Sequence, residues 1–182
     1  MGKVKIKEGD KAPLFKSDSY NKGVIDLAQE FAKSKIVLIF SRYFGCPICQ
    51  MDLQDLLKRK EEIEAKNAKI LYITQSSESF AKNFIEKENI TFTVIQGKKI
   101  EGTKNEYHIY SEYGLGKMTT GVVAKVPTKV LASKKRGITH GDYEKDTVFE
   151  YQCPGQFVIN KDGTVLHAKK GWLDVDKILK VL

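Results

Sequence analysis

The sequence predicts an α/β fold, a mixed β-sheet with helices packed on both of its faces. Two observations carry this. Short, continuously apolar runs such as "IVLIF" (36–40) alternate with longer stretches at helical spacing, which implies parallel strands joined by right-handed crossovers. Near the end, two strand runs flank "NKDG" (160–163) before a closing helical segment. Asp-Gly accepts the positive φ of a tight turn, so these runs form an antiparallel hairpin. The order is β-α-β-α-β and then β-β-α.

In chain order, "VIDL" (24–27) reads as a short strand or its end, followed by a brief amphipathic helix, "AQEFAKS". "IVLIF" is apolar on both faces, as a central strand is. A cysteine stretch follows, then a long helical pattern with Leu53, Leu56, Leu57 and Ile63 on one stripe. "AKILYITQ" (68–75) is a second buried strand. "SSESFAKNFIEKEN" (76–89) opens with serine caps and reads as a helix. "ITFTVI" (90–95) is a third strand, and "EYHIYSEYGLG" (106–116) a short helix ended by glycine. Residues 117–150 read as a long excursion with a short helix around 126–134. "QFVINKDGTVLHAKK" (156–170) gives the hairpin, and Asp174 caps a last helix, "DVDKILKVL".

The chain has 182 residues, 41% of them hydrophobic, which suits one domain over 1–182. No apolar run reaches bilayer-spanning length, and "MGKVKIKEGDKAPLF" lacks the apolar region of a secretory signal. A cytoplasmic location is the expectation, with no membrane partner. The net charge of +8 is carried almost entirely by lysine. Arginine is the favoured residue for bidentate phosphate and guanine contacts. The lysines are also interleaved with acids, as in "KRKEEIEAK" (58–66), so they read as solvated helix faces and not as a nucleic-acid surface. "SKKRG" (133–137) is the one denser patch.

Cys46 and Cys49 bracket Pro47 and Ile48. Pro47 suits the first position of a helix, where its missing N–H costs nothing. Cys46 is therefore the N-cap, at the exposed tip, where free N–H groups and the helix dipole favour a thiolate. Cys49 lies one turn on, on the same face. This asymmetry suits an attacking thiolate and a resolving thiol. Arg42 is close enough in sequence to add positive charge. Two other readings stand beside this one. Zinc needs four ligands, and Cys153 with His108, His140 or His167 lacks ligand spacing, so no metal and no cofactor is implied. Cys49 also suits a plain core position. Ser41, Tyr43 and Thr74 end strands and are candidate neighbours of the site.

Four pieces, in order, resemble the AhpC/TSA (peroxiredoxin-like) branch of the thioredoxin-like superfamily with an active-site C-x-x-C. They are "EGDKAPLF" (8–15), "VLIFSRYFGCPIC" (37–49), "YSEYGLG" (110–116) and "CPGQFVINKDGTVLH" (153–167). The resemblance implies a thioredoxin-like three-layer α/β/α sandwich with a mixed sheet. It implies a thiol-dependent redox enzyme in which Cys46 attacks a peroxide or a protein disulfide and Cys49 resolves to an intramolecular disulfide. A thioredoxin-type reductant is the implied partner, and a homodimer is one assembly it allows. It also implies a cis Cys153–Pro154 bond against the cysteines, which makes Cys153 a candidate third redox partner. Two departures stand out. Ile39 and Tyr43 occupy the places of the family's Pro and Thr/Ser, and Pro154 stands where its arginine would be, leaving Arg42 as the candidate substitute. The alternatives are a disulfide oxidoreductase without peroxidase activity and a binding or sensing module using 117–150 as its surface.

Overall fold

The computed structural model describes residues 5–103, 106–139 and 148–182. β1 (Lys16–Asp18) and β2 (Val24–Asp26) form an antiparallel two-stranded ribbon. The short strand expected at 24–27 is β2, and it lies outside the main sheet. Its end, Asp26, caps α1 (Leu27–Lys33), its carboxylate accepting from the N–H groups of Ala28 and Gln29.

The main sheet contains β3 (Lys35–Phe40), β4 (Ala68–Thr74), β5 (Thr93–Gln96), β6 (Gly155–Ile159) and β7 (Val165–Lys170) in the order β5-β4-β3-β6-β7. β3, β4 and β5 run parallel, while β6 and β7 are antiparallel to their neighbours. This is the predicted mixed sheet. The turn between β6 and β7 places Gly163 at φ +81°, a conformation that suits glycine.

Side chains of β3 alternate between two cores, as the period of two requires. Ile36, Leu38 and Phe40 join a cluster with Tyr110, Tyr113 and Phe157. Val37 and Ile39 join Leu53, Leu56, Ile70, Tyr72 and Val158. Helices cover both faces. They include α2 (Pro47–Lys58), α3 (Lys60–Glu64), α4 (Glu78–Lys87), α5 (His108–Glu112), α6 (Thr120–Val123), α7 (Val126–Lys135) and α8 (Val175–Val181). The single long helix expected after the cysteines is two, broken at Arg59, whose φ and ψ are −108° and 6°. Asp174 caps α8 as expected, accepting from Lys177 N. Ser77 occupies the N-cap of α4 without a side-chain capping bond.

Tyr110 is fully buried, and its hydroxyl donates to the carbonyls of Ser41 (2.5 Å) and Ile73 (3.2 Å). It ties the loop after β3 to β4. Tyr110→Phe is expected to destabilise the fold by about 1–3 kcal/mol, because a buried carbonyl loses its donor. Urea unfolding monitored by circular dichroism checks this.

The excursion is more structured than expected. α7 packs on α2 and is pinned there by Lys129 to Asp52 (2.7 Å) and by Arg136 to both oxygens of Asp55 (2.7 and 3.3 Å). Trp172 Nε1 donates to Val122 O at 3.0 Å, holding α6. The "SKKRG" patch is therefore partly spent inside the molecule, since Ser133 is buried and Arg136 is paired. Among the described residues no helix is long and apolar enough to cross a membrane.

Candidate active site

The register of the sheet assembles the site. Phe40, the last residue of β3, pairs with Gly155, the first of β6. The chain beyond β3 (41–46) therefore lies beside Pro154, at the carboxyl ends of the parallel strands, where open α/β sheets place their sites. Cys46 is the N-cap of α2, with extended backbone (φ −75°, ψ 120°), Pro47 at the first helical position and a thiol that accepts from Cys49 N at 3.4 Å. The capping geometry expected from the sequence is present. The exposure expected of Cys46 is not: it is 2% exposed, and Cys49 beneath it is 4% exposed. The excursion contributes at Cys46, because Met118, Val126, Val130 and Ile138 line the same pocket as its thiol.

The two cysteines approach to 3.1 Å, and both are free thiols. Arg42, whose direction the sequence left open, turns inward. Its Nη1 lies 3.3 Å from Cys46 Sγ, and its Nη2 donates to the carbonyl of Glu150. The guanidinium sits over the rings of Tyr43 (5.2 Å) and Trp172 (5.9 Å), favourable cation–π geometry. It is 8% exposed, and its buried Nε has no hydrogen-bond partner among the described residues. Burial works against its charge, but the neighbouring thiols, Tyr43 and Glu150 outweigh burial and hold it protonated.

The thiols behave as one unit. For Cys46, the hydrogen bond to Cys49, then burial, then the charge on Cys49 push the thiol up. For Cys49, burial also raises the pKa, but the hydrogen bond from Cys46, the charge and backbone N–H of Arg42 and the hydroxyl of Ser41 bring it down to about 6. The pair thus holds one proton and one negative charge over much of the neutral range. The sequence placed thiolate character on Cys46 alone, whereas the structure shares it. A proton moving across the 3.1 Å contact from Cys46 to Cys49 exposes the thiolate at Cys46.

The surroundings of the two sulfurs differ. Cys46 lines a pocket of about 440 Å³ whose walls include Tyr43, Ile48, Met118, Val126, Val130 and Ile138, with Arg42 also lining it. Cys49 lines a small inner cavity of about 20 Å³ shared with Ser41, Asp52, Tyr72, Pro154 and Trp172. Of the expected strand-end neighbours, Ser41 bonds Cys49 and Tyr43 walls the pocket. Thr74 instead bonds Ser76 and the Arg42 carbonyl.

The bond between Cys153 and Pro154 differs from the form the resemblance implied. No described peptide bond is cis, so Cys153–Pro154 is trans, the lower-energy form of an X–Pro bond. With it trans, Cys153 N donates to Gly116 O and Pro154 O accepts from Gly171 N. Cys153 Sγ is directed at Pro154 O (3.4 Å). Burial raises its pKa, opposed by Lys170 and the Thr119 backbone. His167 lies on β7, bonded to Gln156 and Glu8, and His108 lies at the start of α5. His140 falls outside the described residues.

Sequence reasoning missed Asp52, Trp172 and the pocket wall. Asp52 stands three residues after Cys49 and so shares its helix face, a signal that was available. The others depend on long-range packing.

Residues 8–168 match the model of the AhpC/TSA family. Among solved structures, a peroxidoxin BcpB from Mycobacterium tuberculosis is 17% identical, with 97% of this chain and 96% of that one covered and a TM-score of 0.61. A reduced 2-Cys peroxiredoxin of Plasmodium vivax is 18% identical over 97% and 80%, with a TM-score of 0.66. A putative thiol:disulfide interchange protein DsbE from Chlorobium tepidum is 20% identical over 97% and 98%, with a TM-score of 0.62. No curated protein matches.

Proposed function

The chain belongs to the AhpC/TSA family, and from that premise we propose that this thioredoxin-fold redox protein reduces hydroperoxides bearing an apolar group. The observation that carries the reading is the pocket of about 440 Å³, with Cys46 and Arg42 together in its apolar lining. A thiolate at Cys46 attacks the distal peroxide oxygen. The O–O bond breaks, the alkoxide leaves as an alcohol after taking a proton, and Cys46 becomes a sulfenic acid. Cys49 then attacks Cys46 Sγ, its proton and the departing hydroxide form water, and a Cys46–Cys49 disulfide remains. A dithiol reductant of the thioredoxin type resets the pair by two exchange steps.

Arg42 takes the part of a donor on the reacting sulfur and on the charge that develops beside it, the kind of fixed electrostatic aid that supplies much of a rate enhancement. Its orphaned Nε is a second donor close to the reaction. Dithiol–disulfide exchange on proteins is the second reading, supported by the 3.1 Å contact of the cysteines. The burial of both thiols favours small substrates.

The test uses an aromatic hydroperoxide beside hydrogen peroxide, following free-thiol loss at Cys46. The aromatic substrate is expected to react faster. Val130→Trp is expected to slow it roughly 10-fold, as lost apolar pocket contacts do, while hydrogen peroxide is affected less than about threefold. Equal slowing of both substrates, or no peroxide-dependent thiol loss, refutes the reading.

A further inference from the structure

The segment from Lys117 to Thr139 carries five lysines and Arg136 and no acid. It differs in this from 58–66, where cations and acids are interleaved. Lys129 and Arg136 are spent on Asp52 and Asp55 of α2. Lys117, Lys125, Lys134 and Lys135 are exposed and make no ion pair among the described residues.

Apolar side chains are exposed in the same place. Of five exposed large hydrophobics among the described residues, Val123, Leu131 and Tyr151 lie on or beside this segment. A scattered exposed apolar residue is ordinary, and a cluster of them is not. Val123, Lys134 and Tyr151 stand exposed and also line the Cys46 pocket, so they form its rim. Pro127, Leu131, Lys134 and Lys135 are exposed at spacings of three and four along α7, as one outward stripe. Val126 and Val130 on the same helix line the pocket instead. Lys117 Nζ lies over the Tyr151 ring at 5.6 Å. Glu150 is the acid in the pocket lining, and it is set against the charge of Arg42.

We propose that this face docks on the surface of an anionic lipid bilayer, with the lysines at the headgroups, Val123, Leu131 and Tyr151 in the interfacial layer and the mouth of the Cys46 pocket turned to the membrane. The pairing of charge with apolar side chains selects the bilayer. A nucleic-acid backbone would engage the lysines and leave Val123 and Leu131 in water. An anionic bilayer uses both, because charge holds the protein at the headgroups while apolar groups bury just below them. Lysine suits that depth, since its stem lies along apolar surface while its ammonium stays in the polar layer. The expectation of no membrane partner rested on the lack of a spanning run and on interleaved lysines. Surface docking needs no span, and 117–139 is not interleaved.

The position of the pocket gives the docking a purpose. A hydroperoxide bearing an apolar group partitions into a bilayer. A mouth held there receives it without a passage through water. That purpose rests on the hydroperoxide reading, and the docking itself does not.

The test is co-sedimentation of the full chain with vesicles of phosphatidylcholine alone, or with a third of it replaced by phosphatidylserine. The wild type is expected to bind the mixed vesicles at least about tenfold more tightly than the neutral ones, and added salt is expected to release it. Lys125→Gln combined with Lys135→Gln is expected to weaken that binding roughly 25-fold, each lysine near an anionic surface being worth about fivefold. Leu131→Ser is expected to weaken it about tenfold through lost apolar burial. Arginine at both lysine positions is expected to keep the wild-type affinity. Lys66→Gln combined with Lys161→Gln removes the same charge at the opposite end of the sheet, before β4 and in the β6–β7 turn. That pair is expected to change binding by less than about twofold.

A wild type that ignores the mixed vesicles overturns the proposal. So does equal weakening by the Lys66 and Lys161 pair, since net charge alone would then explain the binding. If vesicles are ignored while the Lys125 and Lys135 pair raises the KM for a thioredoxin-type reductant, the face serves an acidic protein and the proposal falls. Vesicle binding with the expected losses, but without peroxide-dependent thiol loss at Cys46, upholds the docking and refutes only the hydroperoxide reading.

Discussion

Cys46→Ser is expected to remove turnover, lowering it by on the order of 10³-fold or more, the scale at which loss of an attacking nucleophile is felt. The fold should survive. A serine hydroxyl is among the best N-caps, so it replaces the thiol that now accepts from Cys49 N, and thermal stability should be equal or higher. Peroxide consumption with a dithiol reductant and a melting curve on the same preparation check both halves. If the variant keeps full turnover, Cys46 is not the nucleophile. If it binds a partner as tightly as the wild type and the wild type shows no turnover, the alternative of a binding or sensing module gains instead.

Arg42→Met should have the next largest effect. The guanidinium favours the charged form of the thiol pair, so its removal raises the pKa at which the first proton leaves. In the wild type, alkylation by iodoacetamide should rise with a midpoint near the value of about 6 that belongs to the more acidic thiol. In the variant the midpoint should move up toward the ordinary thiol value of roughly 8.5. Reactivity below that midpoint is lost, because the nucleophile is then protonated. Turnover near pH 7 should fall about 10- to 100-fold, the worth of one buried charge-assisted hydrogen bond of about 1.5–3 kcal/mol. Methionine keeps much of the length of the chain between Tyr43 and Trp172, so a gross packing defect is not the expected cause. An unchanged midpoint would show that the helix terminus and Ser41 suffice.

The sheet was legible because its strands are continuous apolar runs whose period shows in the sequence. β3, β4, β5 and the β6–β7 hairpin fall within three residues of where patterning puts them. The N-cap role of Cys46 was legible for a local reason, the proline that follows it. The ribbon pairing of β2 with β1 was not, since three-residue strands carry no periodic signal, and the bridge between Ser19 and Ile95 that joins the ribbon to β5 spans 76 residues. The burial of Cys46 was also hidden. It depends on apolar residues of 118–138 returning across α2, and on Lys129 and Arg136 meeting Asp52 and Asp55, contacts 77 and 81 residues apart in the chain. The direction of Arg42 was fixed by the Glu150 carbonyl, 108 residues away. Local patterning reads the scaffold and the cap, while the pocket is a product of folding.

The chain has a single tryptophan, and it lies under the guanidinium of Arg42 and on the wall of the cavity that Cys49 shares. The indole is therefore a built-in optical reporter on the redox centre. Removing the thiolate charge or closing the disulfide alters its immediate electrostatic surroundings, and no other indole dilutes the signal. Emission during stopped-flow mixing should follow oxidation and reduction as separate phases in the unlabelled protein.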